Sequence, residues 1–435
     1  MTIDRSFLAA AIDDDPPPAD VIDLAAWRGS LVRSARGRPS GCVANVILVL
    51  QSTWPGIFVW DEFAQVVRTT SPPPWDSWDT PSKADPGEVS DTDITRIAAW
   101  LARHEQIDTS TETVWKAVAV VAEAHRVHPV REYLEALEWD GVPRLANWLQ
   151  TYMGTPSSDY ARRVGPMVLL SAVARVMRPG CKVDNMVVFE GDQGGGKSSA
   201  VKVLFGEEWT ADSPLDFASK DRFVQLRGKW AQEIPELDGM DRADVNRIKS
   251  FLSSPVDDYR PPFGRASVKA PRQCVFVGTV NPGALGYLRD VTGNRRFWPV
   301  VTGLIGLAEL ARDRDQLWAE ALRWYLDGYP WWPSLEDRGL FEEQQAERQH
   351  VDSWEDTVAV YAATRDAVIV SEVLEHAFGM EVADHTMAAQ HRVGAALLKL
   401  GRVRVRRRVA GRLRWVFASP EDVSDDSGEG CSPST

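Results

Sequence analysis

Apolar and polar positions change their rhythm several times along the chain, and each change marks a predicted boundary. Residues 1–20 set acidic residues among prolines and predict a loose tail that cannot build a core. From 21 to 70, short apolar runs (VANVILVL, GIFVW) predict a small compact unit. Prolines interleaved with polar residues over 71–91 read as a linker. Ser90–Asp93 then opens a helical pattern in which Ile94, Ile97, Trp100 and Leu101 recur at helical spacing. Further helical runs (VWKAVAVVAEAH, VREYLEALEW) and an amphipathic helix from about Ser157 to Arg178 complete a helical domain over 92–180.

The period shortens over 181–345. Runs such as NMVVFE, KWAQEI, QCVFVGTV and RFWPVV alternate with helical segments, which predicts a parallel sheet covered by helices on both faces. After a charged stretch near Glu342–Glu355, residues 356–418 read as a separate small domain, helices first and a strand pair last. Residues 419–435 are acidic and serine-rich, and a disordered tail is expected there.

Composition narrows the class. The 435 residues call for two or three domains, and 44% hydrophobic with 26% charged residues is ordinary for a soluble protein. A net charge of −13 argues against a surface uniformly coated for nucleic acid, while leaving local basic patches open. Four dispersed cysteines, Cys42, Cys181, Cys274 and Cys431, form no CxxC pair, so neither a zinc ribbon nor a disulfide framework is expected. The spacing of His125 and His128 gives no metal signature. With no signal peptide and no apolar run near the ~20 residues of a membrane span, a soluble cytoplasmic protein without membrane contact is expected.

Chemistry concentrates in NMVVFEGDQGGGKSS, which carries Gly191, then Gly194, Gly195, Gly196, Lys197, Ser198 and Ser199 between a β run and a helical run. A triphosphate needs many donors at close range, and glycines let backbone N–H groups curl around it. Lys197 is expected to reach the β/γ oxygens and Ser198 to complete a Mg²⁺ shell, so ATP and Mg²⁺ are the predicted ligands. An ATPase also needs acids after a second strand. Glu233 ends one and is the candidate on the Mg²⁺ side, while Glu236 is the candidate to polarise water. The two roles are interchangeable at this stage, and Asp238 is a third possibility. A further strand ends in Thr279 and Asn281, placed to orient water or read the γ-phosphate. Arg295 and Arg296 follow on a Gly-Asn turn; one is expected to act as a finger on transition-state charge and the other as a structural arginine.

The ordered series of this loop, KWAQEIPELD, DDYRPPFGR, FVGTVNP and TGNRRFWPV, with HPVREYLEALEWDGVPRL ahead of it, resembles the virulence-associated protein E family over about residues 20–345. Those proteins are phage- and island-encoded ATPases related to superfamily 3 helicases. The resemblance implies an α/β P-loop NTPase core of AAA-like type that assembles as a ring around DNA, usually a hexamer. It places Lys197, Ser198, Glu233, Glu236, Asn281, Arg295 and Arg296 at the family's ATPase motifs. Larger relatives carry a primase domain, but only about 180 residues precede the loop here, without a primase acid motif, so primer synthesis is not expected.

Two basic segments are candidates for DNA. The segment DDYRPPFGRASVKAPR predicts a protruding hairpin with Arg260, Arg265, Lys269 and Arg272, with a local ion pair the competing role for Arg260 and Arg265. Near the C-terminus, a helix from about Thr386 leads into RVRVRRRVAGRLRWVF, seven arginines over 402–414. Two strands turning at Ala410-Gly411 are expected to align Arg402, Arg404, Arg406 and Arg408, with Arg412 and Arg414 on that side and Leu413, Trp415 and Phe417 facing a core. Helices followed by a basic hairpin predict a winged-helix-like domain. The leading reading is an ATP-dependent DNA helicase replicating a phage or mobile element. Its alternatives are an origin-binding initiator without processive unwinding, or an antiviral or regulatory ATPase.

Overall fold

The structure, a computed structural model, describes residues 26–71, 87–217, 219, 221–237, 242–259, 267–281, 287–288, 293–348, 354–409 and 411–421. The first unit contains α1 (Val43–Thr53), the antiparallel pair β1 (Phe58–Asp61) and β2 (Val66–Thr69), α2 (Asp91–His104), α3 (Thr111–Glu123) and β3 (Arg126–Val127), which pairs parallel to β1. The helix opened by Ser90 forms as its sequence predicts. Ser90 Oγ accepts from Asp93 N–H at 3.2 Å while Asp93 accepts from Ser90 N–H at 2.8 Å, a reciprocal cap. One core runs through Val46, Leu50, Phe58, Val67, Ile94, Ile97, Leu101, Val114 and Val118. It therefore joins segments on both sides of the proline-rich stretch that the sequence pattern had set apart.

The rest of the predicted helical domain belongs to the next body. Here α4 (Pro129–Glu135), α5 (Trp148–Met153) and α6 (Asp159–Met177) share a core with the following sheet. The α6 helix is not amphipathic: from Tyr160 to Val176 only Arg162 and Arg163 escape burial. It lies beneath the sheet and against a later helix, so both sides of it need apolar residues.

The central body continues with β4 (Met186–Glu190), α7 (Lys197–Phe205), β5 (Thr210–Ala211), α8 (Arg222–Gln225), β6 (Ala231–Ile234), α9 (Arg242–Leu252), the hairpin β7 (Val256–Tyr259) and β8 (Val268–Pro271), β9 (Val275–Val280), β10 (Phe297–Val301), α10 (Leu307–Leu326) and α11 (Arg338–Glu347). Five strands form a wholly parallel sheet in the order β10-β4-β9-β6-β5. Alternation sorts its side chains: Val187, Phe189 and Val277 join the core beneath α6, α7 and α10, while Met186, Val188 and Phe276 join one with Ile248 of α9. Trp230 and Trp318 meet at 4.2 Å between ring centroids, with Phe205 edge-on to both. Trp318 Nε1 donates to the Leu204 carbonyl at 2.7 Å and Arg314 Nε to the same oxygen at 3.1 Å, so α10 holds the C-terminal end of α7.

The last unit comprises α12 (Glu355–Ala363), β11 (Ala367–Val368), α13 (Val370–His376), α14 (Met387–Lys399) and the hairpin β12 (Val403–Val409) and β13 (Arg412–Ala418), with β13 central between β11 and β12. Thr386 caps α14, accepting from Ala389 N–H at 3.2 Å, where the sequence places its start. Among the described residues no helix is long and apolar enough to cross a membrane.

Candidate functional site

The glycine-rich loop leaves β4 at its C-terminal end and enters α7, the usual place for a ligand in a parallel α/β sheet. Gly194 and Gly196 sit at φ of +77° and +88°, where a side chain is strained. A Cβ at Gly191 would lie 2.2 Å from Thr302 Oγ1, so that position needs glycine for close packing instead. The loop borders a cavity of about 300 Å³ lined by Gln193, Gly194 to Ser199, Glu233, Pro235, Glu236, Thr279 and Asn281. Five of the sequence-predicted chemical residues, Lys197, Ser198, Glu233, Glu236 and Asn281, thus converge from one helix and the ends of two strands. They do so because β9 stands between β4 and β6, which sets the Asn281 end between the loop and the acids.

Buried Lys197 directs Nζ to the carbonyls of Gly191 (2.5 Å) and Asp192 (2.8 Å), with Asn281 Oδ1 at 3.5 Å. Burial pulls its ammonium below the usual range, and the carboxylates of Asp192 and Glu233 pull it back. Ser198 Oγ donates to Glu233 Oε1 at 2.6 Å, and Thr279 Oγ1 donates to the same oxygen at 2.9 Å. Glu233 Oε2 is buried and has no hydrogen-bond partner among the described residues. An unsatisfied carboxylate oxygen is costly in a dry site, and a hard cation is the kind of partner that satisfies it. One hydroxyl and one carboxylate fit Mg²⁺, which takes few protein ligands and fills its shell with water and phosphate oxygens. Glu236 follows on a backbone with φ +49°, a sharp turn that brings an exposed carboxylate to the cavity edge. Asp238 lies outside the described residues.

A network absent from the sequence reading supports the loop. Glu190, the last residue of β4, accepts from Arg348 Nε (3.0 Å) and Nη2 (3.0 Å) and from the Tyr287 hydroxyl (2.8 Å), and its carbonyl accepts from Thr302 N–H at 2.6 Å. Arg348 comes 158 positions after Glu190, so local pattern cannot disclose the pair.

Arg295 and Arg296 do not reach this cavity. They occupy the turn before β10, whose first residue pairs with Met186, at the opposite end of the sheet from the loop. Exposed Arg295 lies 3.9 Å from Asp184, and Arg296 Nε donates to Ser253 Oγ at 2.9 Å. Four residues of strand separate the two ends, roughly 13 Å, beyond the span of one side chain.

The β7–β8 hairpin predicted for DNA exists, and Lys269 is exposed on it opposite Asp258; Arg260 and Arg265 lie outside the described residues. Arg272 does not face DNA. It is wholly buried, and both Nε (2.9 Å) and Nη2 (2.5 Å) donate to Asp257, a pairing that leaves no charge for a ligand. At the C-terminal hairpin the register corrects the predicted faces. Arg404 pairs with Phe417, Arg406 with Trp415 and Arg408 with Leu413, so these arginines share one face with the apolar residues expected opposite them. Arg414 pairs with Arg407 on the other face, and position 412 pairs with Val409. Arg402 precedes β12 and caps α12, donating to Ala362 and Asp366 carbonyls.

The model of the virulence-associated protein E-like domain matches residues 134–350. Those residues are a virulence-associated protein E-like domain. It spans α5 to α11, including the glycine-rich loop, Glu233, Asn281 and the arginine pair. Among solved structures, the A form apo structure of the NrS-1 C-terminal region matches with 12% identity, 86% of this chain, 99% of that chain and a TM-score of 0.46. A second, of its residues 305–718, matches with 13% identity, 66% and 78% coverage and a TM-score of 0.38. No curated protein matches the chain.

Proposed function

We propose that this chain is an ATP-dependent, Mg²⁺-requiring P-loop ATPase of AAA-like type that acts on DNA as a helicase in the replication of a phage or mobile element. The observation that carries the ATPase reading is the convergence of Lys197, Ser198, Glu233, Glu236 and Asn281 on one cavity, with Glu233 Oε2 buried and unsatisfied. The backbone around Gly194–Gly196 and the N-terminal end of α7 bind the phosphates, and Lys197 holds the β/γ oxygens. Ser198 and Glu233 would hold Mg²⁺, and that ion, when bound, would supply positive charge against the charge developing on the phosphates. Glu236 accepts the proton of the attacking water, and Asn281 orients the water against the γ-phosphate.

The helicase reading rests on the virulence-associated protein E-like domain together with the basic hairpin of a winged-helix-like C-terminal unit, on which Arg404, Arg406 and Arg408 share one face. Unwinding of a forked DNA, with and without ATP, tests it. The wild-type protein is expected to displace the strand only with ATP. Lys197→Ala is expected to keep the fold and lose ATP turnover by at least about 100-fold, because the lysine meets phosphate charge and supports no apolar core. ATP-dependent DNA binding without displacement would instead favour an origin-binding initiator.

A further inference from the structure

The exposed face of the β12–β13 hairpin combines features that phosphate contact alone does not require. Phe417 is buried in the core of its unit with Val393, Ala396 and Leu397 of α14, and a Cβ placed at Gly394 would lie 3.6 Å from its ring. Two residues earlier on the same face, that helical cover ends. Trp415 is 48% exposed and Leu413 59% exposed. Arg404 and Arg406 bring their guanidinium carbons to 4.5 and 5.1 Å from the Trp415 ring centroid. Arg408 follows on the same face, and none of the three makes an ion pair among the described residues.

The adjacent helix offers less. On α14, Lys399 is tied to Glu355 at 2.6 Å and Arg392 lies 4.2 Å over the Trp354 ring. The cations of this unit that can meet a polyanion are therefore concentrated on the hairpin. Within a chain of net charge −13, such a face is complementary to a phosphate backbone. Its half-exposed indole, steadied by two guanidinium groups, offers a flat surface to a base. Paired bases are already stacked and present only edges, whereas an unpaired base has a free π face.

We propose that this face is a site for unpaired nucleic acid, in which Trp415 stacks on a base and Arg404, Arg406 and Arg408 hold the flanking phosphates. The proposal rests on the reading of the protein as one that acts on DNA, and it places contact with single strands on the hairpin instead of on α14.

Fluorescence anisotropy of the full chain with a labelled single-stranded oligonucleotide, and with the duplex of the same sequence, over a series of salt concentrations tests it. Trp415→Ala is expected to weaken single-strand binding roughly 5- to 100-fold, leave duplex binding within about twofold and keep the salt slope, while Trp415→Phe restores most of the loss. The pair Arg404→Glu/Arg406→Glu is expected to weaken both and lower the single-strand log–log slope by about 1.4. Because Trp415 is half exposed, its variants should keep the wild-type circular dichroism spectrum. Single-strand binding unchanged by Trp415→Ala but weakened by the arginine pair would overturn the stacking site and leave a phosphate-binding hairpin. Equal losses on single strand and duplex with Trp415→Ala would also overturn it. If neither variant alters binding, the hairpin is no nucleic-acid surface, and an acidic protein segment becomes the partner to seek. The forked-DNA assay decides the DNA reading separately in every case.

Discussion

At the residue scale, two glutamates of similar sequence context have been separated by burial. Glu233 is enclosed, fixed by Ser198 and Thr279, and keeps one oxygen for a cation; Glu236 stands exposed on a left-handed backbone at the cavity edge. Glu233→Gln should raise the Mg²⁺ concentration needed for half-maximal turnover. Glu236→Gln should leave that requirement unchanged and lower the maximal rate by about 100-fold or more. A Mg²⁺ titration of ATPase activity separates the two, and the opposite pattern would reverse the roles. His128 has a different task. It caps α4, with Nδ1 accepting from Arg131 N–H at 3.1 Å, while Nε2 lies 2.6 Å from Gln273 Oε1. Gln273 Nε2 donates in turn to the Glu62 carbonyl of the first unit. Burial pushes the His128 pKa below the ordinary value of 6.5, so folding favours the neutral ring. The stability this contributes is complete above about pH 6.5 and is lost as pH falls through the lower folded value. Denaturant midpoints between pH 7.5 and 5 should therefore decline less steeply for His128→Gln than for the wild type.

At the scale of elements, the glycine-rich loop is positioned from below. The α7 helix is fixed at its far end by Trp318 and Arg314 of α10, and the Phe205–Trp230–Trp318 cluster fills the space under it. Trp230 is fully buried, and its Nε1 donates to the Ala172 carbonyl of α6 at 3.0 Å. Trp230→Ala is expected to destabilise the central body by about 3–5 kcal/mol through the cavity it leaves and the carbonyl it strands. The main urea transition should shift to lower concentration by a corresponding amount. A change below about 1 kcal/mol would show that the cluster does not support the loop. Glu190 and Arg348 hold the other side, joining the end of β4 to the end of α11.

At the scale of the whole molecule, the arginine turn and the cavity lie at opposite ends of the same parallel sheet. Arg295 and Arg296 can meet a nucleotide only if a neighbouring copy presents one, so the proposed ring would complete each site across an interface. Lys197→Ala and Arg295→Ala/Arg296→Ala should each be inactive alone. Mixed together, they should regain partial ATPase activity, because some interfaces then pair an intact loop with intact arginines. Mixed oligomers verified by mass that remain inactive at every ratio would reassign the turn to its contacts with Asp184 and Ser253.

The loop, its flanking strand and helix, the β strands of the core and the cap of α2 were legible in sequence, because each depends on residues within a few positions of one another. Gly194–Ser199 and the Ser90–Asp93 pair are local chemistry, and alternation along β4 sorts its side chains between the two faces before any partner is known. Other features depend on distant partners. Which oxygen of Glu233 stays unpaired follows from the arrival of Ser198 and Thr279, and Arg272 loses its external role because Asp257 reaches it in the folded chain. Position along β12 and β13 suggests alternation but not which residues of the two strands stand opposite each other. Only the turn and the ladder put Arg404, Arg406 and Arg408 beside Trp415 and Leu413, and only the extent of the helical layer leaves that face open. Local preference is written in neighbouring residues, whereas register, burial and charge pairing are decided when segments far apart in the chain meet.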